Sequence, residues 1–371
     1  MNWALYNLTT TTQGGGVEMT VWAIGRELAR RGQDVTVIGG KGERVLPAAA
    51  SGLSVRRFVY TPREQFPDLG SRARKFMERL SFARKALPAL LEGGFQRIVA
   101  FKSYDLAPVL WAGRRSGARV GFISGGSEFY PGFKGLARRL DYLAAVSAFT
   151  AGQMAKATGL KPLVNHLGVD TKAFRPAPPD MDLARKAGLN PGDEALVMAV
   201  RLVALKGVQR AINALALLQD TRPDLRLVVA GEGPFRAELE RRAAAAGVAA
   251  RVKLLGFLPP ERLAGFYALG NLAIFPSMGE EALGLAIAEA MACGLPVVAS
   301  DLGGVPEVVG DCGMLVPAKD DQALAGAIAT LLDDPGRRAD LAQRGPRRVS
   351  QCFTWASCVD RLEKGLAEGA A

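Results

Sequence analysis

Two carboxylates, Glu281 and Glu289, lie eight positions apart in the stretch SMGEEALGLAIAE, around a turn of small residues. Two helical turns span roughly 11 to 12 Å, so one acid can meet one end of an elongated ligand while the other meets its far end. Free backbone N–H groups at a helix start between them suit a phosphate. The spacing therefore predicts a sugar-nucleotide site that holds the sugar, the diphosphate and the ribose.

Two cations, Arg201 and Lys206, follow a short apolar segment and precede Gly207. An arginine binds a diphosphate as a planar fork, and a lysine binds it as a point charge. The pattern is thus consistent with a diphosphate site after a strand. A solvated loop that leads into a helix is the alternative interpretation.

Three glycine-containing turns each follow a predicted strand. Gly14–Gly16 precedes a helix, where glycines permit positive φ and close approach of a ligand to the backbone, but the spacing is not the G-x-G-x-x-G of dinucleotide sites. The turn at 231–234, which contains Glu232, favours a tight strand-to-helix connection over direct ligand contact. The backbone of Gly256-Phe257-Leu258 could receive the edge of a base, and structural packing is an equally good interpretation.

Parallel α/β architecture is predicted for both halves, because short apolar strands alternate with amphipathic helices. Predicted strands are 34–38, 97–101, 119–123, 196–200, 225–230, 252–255, 272–275 and 296–299, and predicted helices include 17–31, 234–245 and 260–269. Three prolines within 176–179 mark the best linker. We therefore expect two Rossmann-like domains, residues 1–170 and 171–352, on either side of a deep cleft.

Composition and charge limit the possible functions. The chain has 371 residues, 49% of them hydrophobic, one His and four Cys without a C-x-x-C pair, so neither a disulfide framework nor a metal centre is expected. Residues 1–170 carry 24 Lys and Arg against 12 Asp and Glu (+12), and residues 171–371 carry 23 against 24 (−1). This asymmetry favours an anionic partner of the first half, such as a membrane surface or a phosphorylated glycan.

No apolar run reaches the roughly 20 residues of a membrane span, and no secretory signal is expected. Nucleic acid would fit the positive charge, but basic and aromatic residues do not interleave, so no nucleic-acid partner is predicted. These features predict a cytoplasmic protein.

A basic amphipathic helix is predicted over 72–87. Its apolar stripe comprises Ala73, Phe76, Met77, Leu80, Ala83 and Leu87, and its flanking cations are Arg72, Arg74, Lys75, Arg79, Arg84 and Lys85. Such a helix can lie on the inner face of the cytoplasmic membrane through residues 72–85. A helix that packs on the core with a solvated basic side fits the same pattern.

Taken together, these segments resemble the family 4 retaining glycosyltransferases of GT-B fold over nearly the whole chain. The motifs that carry the resemblance are the turn at 14–16, GVDTKAFRP at 168–176, R-x-x-x-x-K-G at 201–207, G-x-G-P at 231–234 and E-x7-E at 281–289, which continues as AMACGLPVV. The resemblance implies discontinuous domains, with a C-terminal segment from about 353 that crosses back onto the first domain.

The resemblance also implies residue roles. Arg201 and Lys206 would bind the donor diphosphate and stabilise the leaving group, Glu281 would bind the sugar hydroxyls, and Glu289 would bind the ribose. The remaining predicted donor contacts are Gly15, Gly16, Glu232, Phe257, Leu258, Leu283, Gly284 and Leu285. Preorganised cations and N–H donors suit an anionic leaving group, so neither a metal nor another cofactor is required.

One departure concerns the acceptor side. Many relatives carry a histidine in a loop of the first domain where this chain has Gly125 or a neighbour. Lys102, Ser127 and Glu128 are the candidates for an acceptor role in its place.

We therefore expect a metal-independent retaining hexosyltransferase that uses a UDP- or GDP-linked sugar. Its expected acceptor is a glycan or lipid-linked glycan of the cell envelope, such as lipopolysaccharide core. A sugar-nucleotide epimerase of the same fold and a non-catalytic sugar-nucleotide-binding module are the alternatives.

Overall fold

The computed structural model describes residues 1–42, 52–126, 128–190 and 192–369. The chain separates into two compact units, one of Met1–Leu167 with Trp355–Ala371 and one of Gly168–Thr354. Each unit is a parallel sheet with helices, which is the predicted fold class. The acceptor and donor roles assigned to the two domains remain predictions.

The first unit contains a seven-stranded parallel sheet in the order β3-β2-β1-β4-β5-β6-β7. Its strands are β1 (Asn2–Tyr6), β2 (Asp34–Gly40), β3 (Ser54–Phe58), β4 (Arg97–Ala100), β5 (Arg119–Ser124), β6 (Tyr142–Ala145) and β7 (Leu163–Val164). Its helices are α1 (Gly16–Arg30), α2 (Ser71–Glu92), α3 (Leu106–Ser116), α4 (Phe133–Ala137), α5 (Ala148–Thr158) and the last helix of the chain, α14 (Trp355–Glu368).

The second unit contains a six-stranded sheet in the order β10-β9-β8-β11-β12-β13. Its strands are β8 (Ala195–Ala199), β9 (Arg226–Ala230), β10 (Val252–Gly256), β11 (Leu272–Phe275), β12 (Val297–Ser300) and β13 (Met314–Val316). Its helices are α6 (Met181–Ala187), α7 (Val208–Leu217), α8 (Arg236–Ala245), α9 (Pro260–Tyr267), α10 (Leu285–Ala292), α11 (Val305–Val309), α12 (Asp321–Asp333) and α13 (Pro335–Cys352).

Both sheets change direction once in strand order. In the first unit, β2 and β3 are added on one side of β1, and the next strand in sequence, β4, pairs with the other side of β1. The second unit does the same at β8 and β11. Ligands of open parallel sheets bind at such a switch point, beyond the carboxyl ends of the strands.

Helix α2 differs from its sequence-based description. Its buried face comprises Glu78, Arg79, Phe82, Ala83, Ala86, Ala89 and Leu90, whereas Phe76 and Leu80 of the predicted stripe are 48% and 56% exposed. The prediction that Arg79 is a surface cation was wrong, because Arg79 is buried in an ion pair with Asp105. The error arose because apolar residues lie on two faces of α2, and the face that packs on the core is not the one that the sequence analysis chose.

The described residues contain no helix that is long and apolar enough to cross a membrane.

The C-terminal helix α14 belongs to the first unit, as the resemblance implied. Arg31, just after α1, donates to Asp360 (2.6 Å), to Glu363 (2.8 Å) and to the carbonyl oxygen of Ala356 (2.9 Å). Arg119 donates to the carbonyl oxygens of Leu366 and Ala367, which lie in the last turn of α14 where a cation is favoured. Arginine side chains thus attach the last helix to the sheet and to α1.

Replacement of Arg31 by Ala should lower the free energy of unfolding by about 1–2 kcal/mol, because three charge-assisted or carbonyl contacts to α14 are lost together. Chemical denaturation measures the change. Arg26→Ala is the matched control, because Arg26 is an exposed arginine of α1. Equal effects of the two substitutions would contradict the attachment of α14 by Arg31.

Candidate functional site

The switch point of the second unit brings together the two segments that carry the predicted donor residues. Arg201 and Lys206 lie in the connection after β8, and Glu281 lies in the connection after β11. Because β8 and β11 are hydrogen-bonded neighbours, these connections leave the same edge of the sheet side by side.

Lys206 and Glu281 form an ion pair at this edge. Lys206 Nζ lies 2.6 Å from Glu281 Oε1, and the hydroxyl of Ser277 donates to the same oxygen at 2.9 Å. Among the described residues, Glu281 Oε2 accepts no hydrogen bond. The carboxylate therefore holds the ammonium in place with one oxygen and keeps the other available for a donor from a ligand.

Gly207 fixes the position of the Lys206 loop. Its φ is +73°, and a Cβ built there would lie 1.7 Å from the carbonyl oxygen of Pro276. The amide of Met278 donates to the carbonyl oxygen of Leu205 at 2.8 Å, which joins the two connections directly. Only a glycine permits this close approach.

Arg201 is exposed, and its guanidinium makes no hydrogen bond or ion pair within the described part of the chain. The structure therefore presents one unpaired and one paired cation after β8, which is the charge that a diphosphate needs.

Helix α10 begins at Leu285, directly after the Glu281 connection. Its N-cap residue is Gly284, with φ +96°, and no side chain caps the helix, so backbone N–H groups of the first turn remain available. The buried Leu283 anchors this turn from below. A helix thus begins where the sequence predicts one, and it is eight residues long; its binding of phosphate remains a prediction.

Glu289 lies within α10 and has no cation beside it in the described structure. Burial raises the pKa of its carboxyl to about 8. Burial and the nearby Glu289 together raise the pKa of the Cys293 thiol to about 12. Glu289 is thus a carboxyl group held in an apolar setting, where hydroxyl groups of a ligand would supply missing hydrogen-bond partners.

Three further predicted donor residues lie at the ends of β9 and β10. The carboxylate of Glu232 accepts a hydrogen bond from the amide of Phe257 at 3.3 Å, and the turns at Gly231 and Gly256 are bridged. The side chain of Phe257 is 66% exposed, and Leu258 is half-buried. The Glu232 side chain thus acts within the protein, where it orders the turn that carries Phe257.

In the first unit, Gly15 is the N-cap of α1, and Gly16 is its first residue. Neither adopts a positive φ, so the conformational argument made for these glycines does not apply. A Cβ on Gly15 would instead lie 2.7 Å from Glu18 Oε2. Glu18 accepts a hydrogen bond from the Thr9 hydroxyl at 2.5 Å, and its carboxylate therefore occupies the space beside Gly15.

Two of the three residues predicted to serve the acceptor, Lys102 and Glu128, lie within the described residues. Lys102 follows β4, and Glu128 forms an ion pair with Lys75 at 2.6 Å. Ser127 lies outside the described residues.

The sequence analysis missed two polar residues that the structure places in contact with predicted ones. Asp105 pairs with Arg79, and the hydroxyl of Ser277 donates to Glu281. A polar residue in the short segment that follows a buried strand, as in FKSYD and FPS, is the signal that could have identified Asp105 and Ser277.

The raised pKa of Glu289 predicts how the free energy of unfolding depends on pH. The pKa of the Glu289 carboxyl is 4.5 in the unfolded chain and about 8 in the folded protein. Between these two pH values, the folded state therefore holds one more proton than the unfolded state. The free energy of unfolding should fall as pH rises through this window, by up to about 1.4 kcal/mol per pH unit. Glu289→Gln should therefore melt higher than the wild type at pH 8, with a difference that shrinks toward pH 5.

Thermal melts from pH 5 to 8.5 measure this difference, and Glu261→Gln, at an exposed position, is the control. Parallel pH profiles of the wild type and Glu289→Gln would show that Glu289 is not held neutral by burial.

Two family descriptions together cover most of the chain. Residues 14–173 match Glycosyltransferase Family 4, and residues 181–348 match Glycosyl transferases group 1. The chain is 31% identical to the GDP-mannose-dependent alpha-(1-6)-phosphatidylinositol monomannoside mannosyltransferase of Mycolicibacterium smegmatis, over 95% of each protein. It is 34% identical to the lipopolysaccharide core biosynthesis mannosyltransferase LpsB of Rhizobium meliloti, over 63% of this chain and 68% of that protein.

Solved structures agree with the fold. Sucrose-phosphate synthase from Thermosynechococcus elongatus superposes with a TM-score of 0.83 at 21% identity, over 99% of this chain and 98% of that one. Anabaena HepE, solved with UDP and glucose, superposes with a TM-score of 0.80 at 22% identity, over 99% and 100%. This chain therefore has the GT-B fold and belongs to the family 4, group 1 glycosyltransferases.

Proposed function

We propose that the second unit binds a nucleotide-diphosphate hexose at the switch point between β8 and β11. The observation that carries the proposal is the Lys206–Glu281 ion pair, formed between the two connections that a ligand there would touch. Arg201 and Lys206 bind the diphosphate, Glu281 accepts a hydroxyl of the hexose through Oε2, and the helix start at Gly284–Leu285 donates N–H groups. Glu289 accepts the ribose hydroxyls.

Charge stabilisation accounts for the transfer step. When the bond between the anomeric carbon and the diphosphate breaks, negative charge develops on the leaving oxygen. A guanidinium and an ammonium held in advance stabilise that charge without a divalent metal. In a front-face displacement, an acceptor hydroxyl forms the new bond to the anomeric carbon on the face that the diphosphate leaves, and its proton passes to the departing phosphate oxygen. The hexose is thus transferred with retention of its anomeric configuration and without a protein nucleophile.

The donor and acceptor follow from the relatives at a coarser level. Two similar proteins are named as mannosyltransferases, one of them GDP-mannose-dependent, and their names refer to a phosphatidylinositol mannoside and to lipopolysaccharide core. HepE was solved with UDP. We therefore assign to this chain a GDP- or UDP-linked hexose and a glycan or lipid-linked acceptor of the cell envelope. GDP-mannose is the first donor to test.

Lys206→Ala should reduce donor turnover at least about 100-fold while the fold stays intact, because the developing charge loses a preorganised cation. Release of nucleoside diphosphate from GDP-mannose, UDP-glucose and UDP-galactose, with EDTA present, measures turnover. Lys253→Ala, at an exposed lysine of the same unit, is the control. Turnover near the wild-type rate in Lys206→Ala would refute the diphosphate role, and loss of turnover in EDTA would refute metal independence.

Helix α2 supports the finer proposal of peripheral membrane binding. Phe76 and Leu80 are exposed one helical turn apart, and the exposed cations Arg72, Arg84 and Lys85 lie on the same helix. Apolar residues beside lysine and arginine suit the interface of an anionic membrane. Arg79 takes no part, because it is buried.

Co-sedimentation with vesicles that contain 30% phosphatidylglycerol tests this surface. Combined replacement of Arg72, Arg84 and Lys85 by Gln should weaken vesicle binding by about 100-fold, because each basic residue near the surface contributes about 1 kcal/mol. Replacement of the exposed Arg114, Arg138 and Arg139 removes the same charge elsewhere in the unit and is the control. Equal weakening by both triple variants would mean that net charge, and not α2, governs binding.

A further inference from the structure

The first unit contains a mixed-charge cluster at its own switch point. Lys102 and Asp105 lie in the connection after β4, and they meet Arg79 and Lys75 of α2 and Glu128 of the segment after β5. The turn at Gly14–Gly16 follows β1, the neighbouring strand of β4. The cluster therefore lies beyond β4, the strand of this sheet that corresponds to β11 in the other.

The cations of this cluster differ in how they are neutralised. Arg79 pairs with Asp105, and Lys75 pairs with Glu128 at 2.6 Å. The Lys102 ammonium has no hydrogen-bond or ion-pair partner among the residues that the structure describes. Burial and the charge of Arg79 lower the pKa of the Lys102 ammonium, while Glu128, Glu18 and Asp105 oppose that shift.

Two more polar atoms beside Lys102 lack partners. Ser103 Oγ and Asp105 Oδ1 are buried without a hydrogen bond in the described structure. Burial raises the pKa of Asp105 to about 6 despite the neighbouring Arg79 and Lys102. Two buried polar atoms without a partner, next to a lysine that forms no ion pair, are costly to fold, and such costs concentrate at functional sites.

The backbone of this segment is held rigidly. The hydroxyl of Tyr130 donates to the carbonyl oxygen of Ser103 at 3.0 Å, and the rings of Tyr130 and Tyr104 stack with centroids 5.0 Å apart. Lys102 is therefore anchored next to a fixed turn, and a ligand that binds it does not have to order the loop first.

We propose that Lys102 binds an anionic group of the acceptor, a phosphate or a carboxylate, at the switch point between β1 and β4. This assignment rests on the proposed function, because it takes the first unit to hold the acceptor. An anion supplied by the ligand satisfies the charge that the protein leaves unpaired. It also accounts for a half-buried lysine where a neutral side chain would fold at lower cost.

Calorimetric titration with inorganic phosphate at constant ionic strength tests the site. The parent protein is the full chain with Arg201→Ala and Lys206→Ala, so that the donor cations do not contribute. Addition of Lys102→Met should weaken phosphate binding at least tenfold, whereas Lys102→Arg should retain it. Glucuronate in place of phosphate tests a carboxylate source, with glucose as its uncharged control.

Lys156→Met, at an exposed lysine of α5, is the matched control and should bind phosphate as the parent does. Phosphate affinity that is unchanged by Lys102→Met, or weakened equally by Lys156→Met, would overturn the assignment. The melting temperature of Lys102→Met should rise, because an unpaired, half-buried charge is removed, so misfolding does not account for a loss of binding.

A second measurement needs no substitution. Acetylation of the wild-type protein with a water-soluble acetylating reagent, followed by peptide mass spectrometry, reports the reactivity of each lysine. Phosphate should slow acetylation of Lys102 several-fold and leave Lys156 unchanged, and equal rates at Lys102 with and without phosphate would also overturn the proposal.

These tests contain no nucleotide sugar, so they are independent of transfer. A wild-type protein that turns over no donor would refute the proposed function and leave the phosphate result standing. A negative phosphate result would leave the donor site untouched.

Discussion

The reversal of strand order between β8 and β11 is the constraint on which the proposed donor site depends. It makes two strands that are distant in sequence into hydrogen-bonded neighbours, so the connections after them leave the sheet edge together. Lys206 can reach Glu281 only for this reason. Gly207 then allows its connection to approach Pro276 more closely than any side chain would permit. The first unit repeats the same strand order, and its unpaired lysine lies at the equivalent edge.

Both units retain ionisable groups where burial disfavours their charge. In the second unit, burial keeps the pKa of Glu289 near 8, and in the first unit burial lowers the pKa of Lys102. Elsewhere, charges such as those of Arg31 and Arg79 are matched by carboxylates at hydrogen-bond distance. A fold optimised only for stability would pair or replace these two groups. Because they lie after parallel strands, or on the helix that follows one, we propose that ligands complete them.

Helix α2 shows where patterns along a sequence become ambiguous. Apolar residues of this helix fall on more than one face, and periodicity alone does not tell which face meets the sheet. Packing buries the face with Phe82, Ala86 and Leu90, which leaves Phe76 and Leu80 exposed. Arg79 is drawn inside because Asp105, on a separate connection, supplies its counter-charge. The exposed apolar residues now belong to the surface that we propose for membrane contact.

The sequence by itself determined the alternation of strands and helices, the two Rossmann-like halves and the family, because these depend on local periodicity and on motifs of fixed spacing. Strands 272–275 and 252–256 and helix α8 lie within two residues of their predicted bounds. Short strands such as β7 and β13 escaped prediction, because two or three residues carry too little periodicity. Only the tertiary structure decided which charges meet. Lys206 pairs with Glu281 and Arg79 pairs with Asp105, whereas the Lys102 ammonium pairs with no carboxylate of the described residues. Those pairings join residues up to 75 positions apart, and the order of strands in the sheet, which no local pattern encodes, sets their distances.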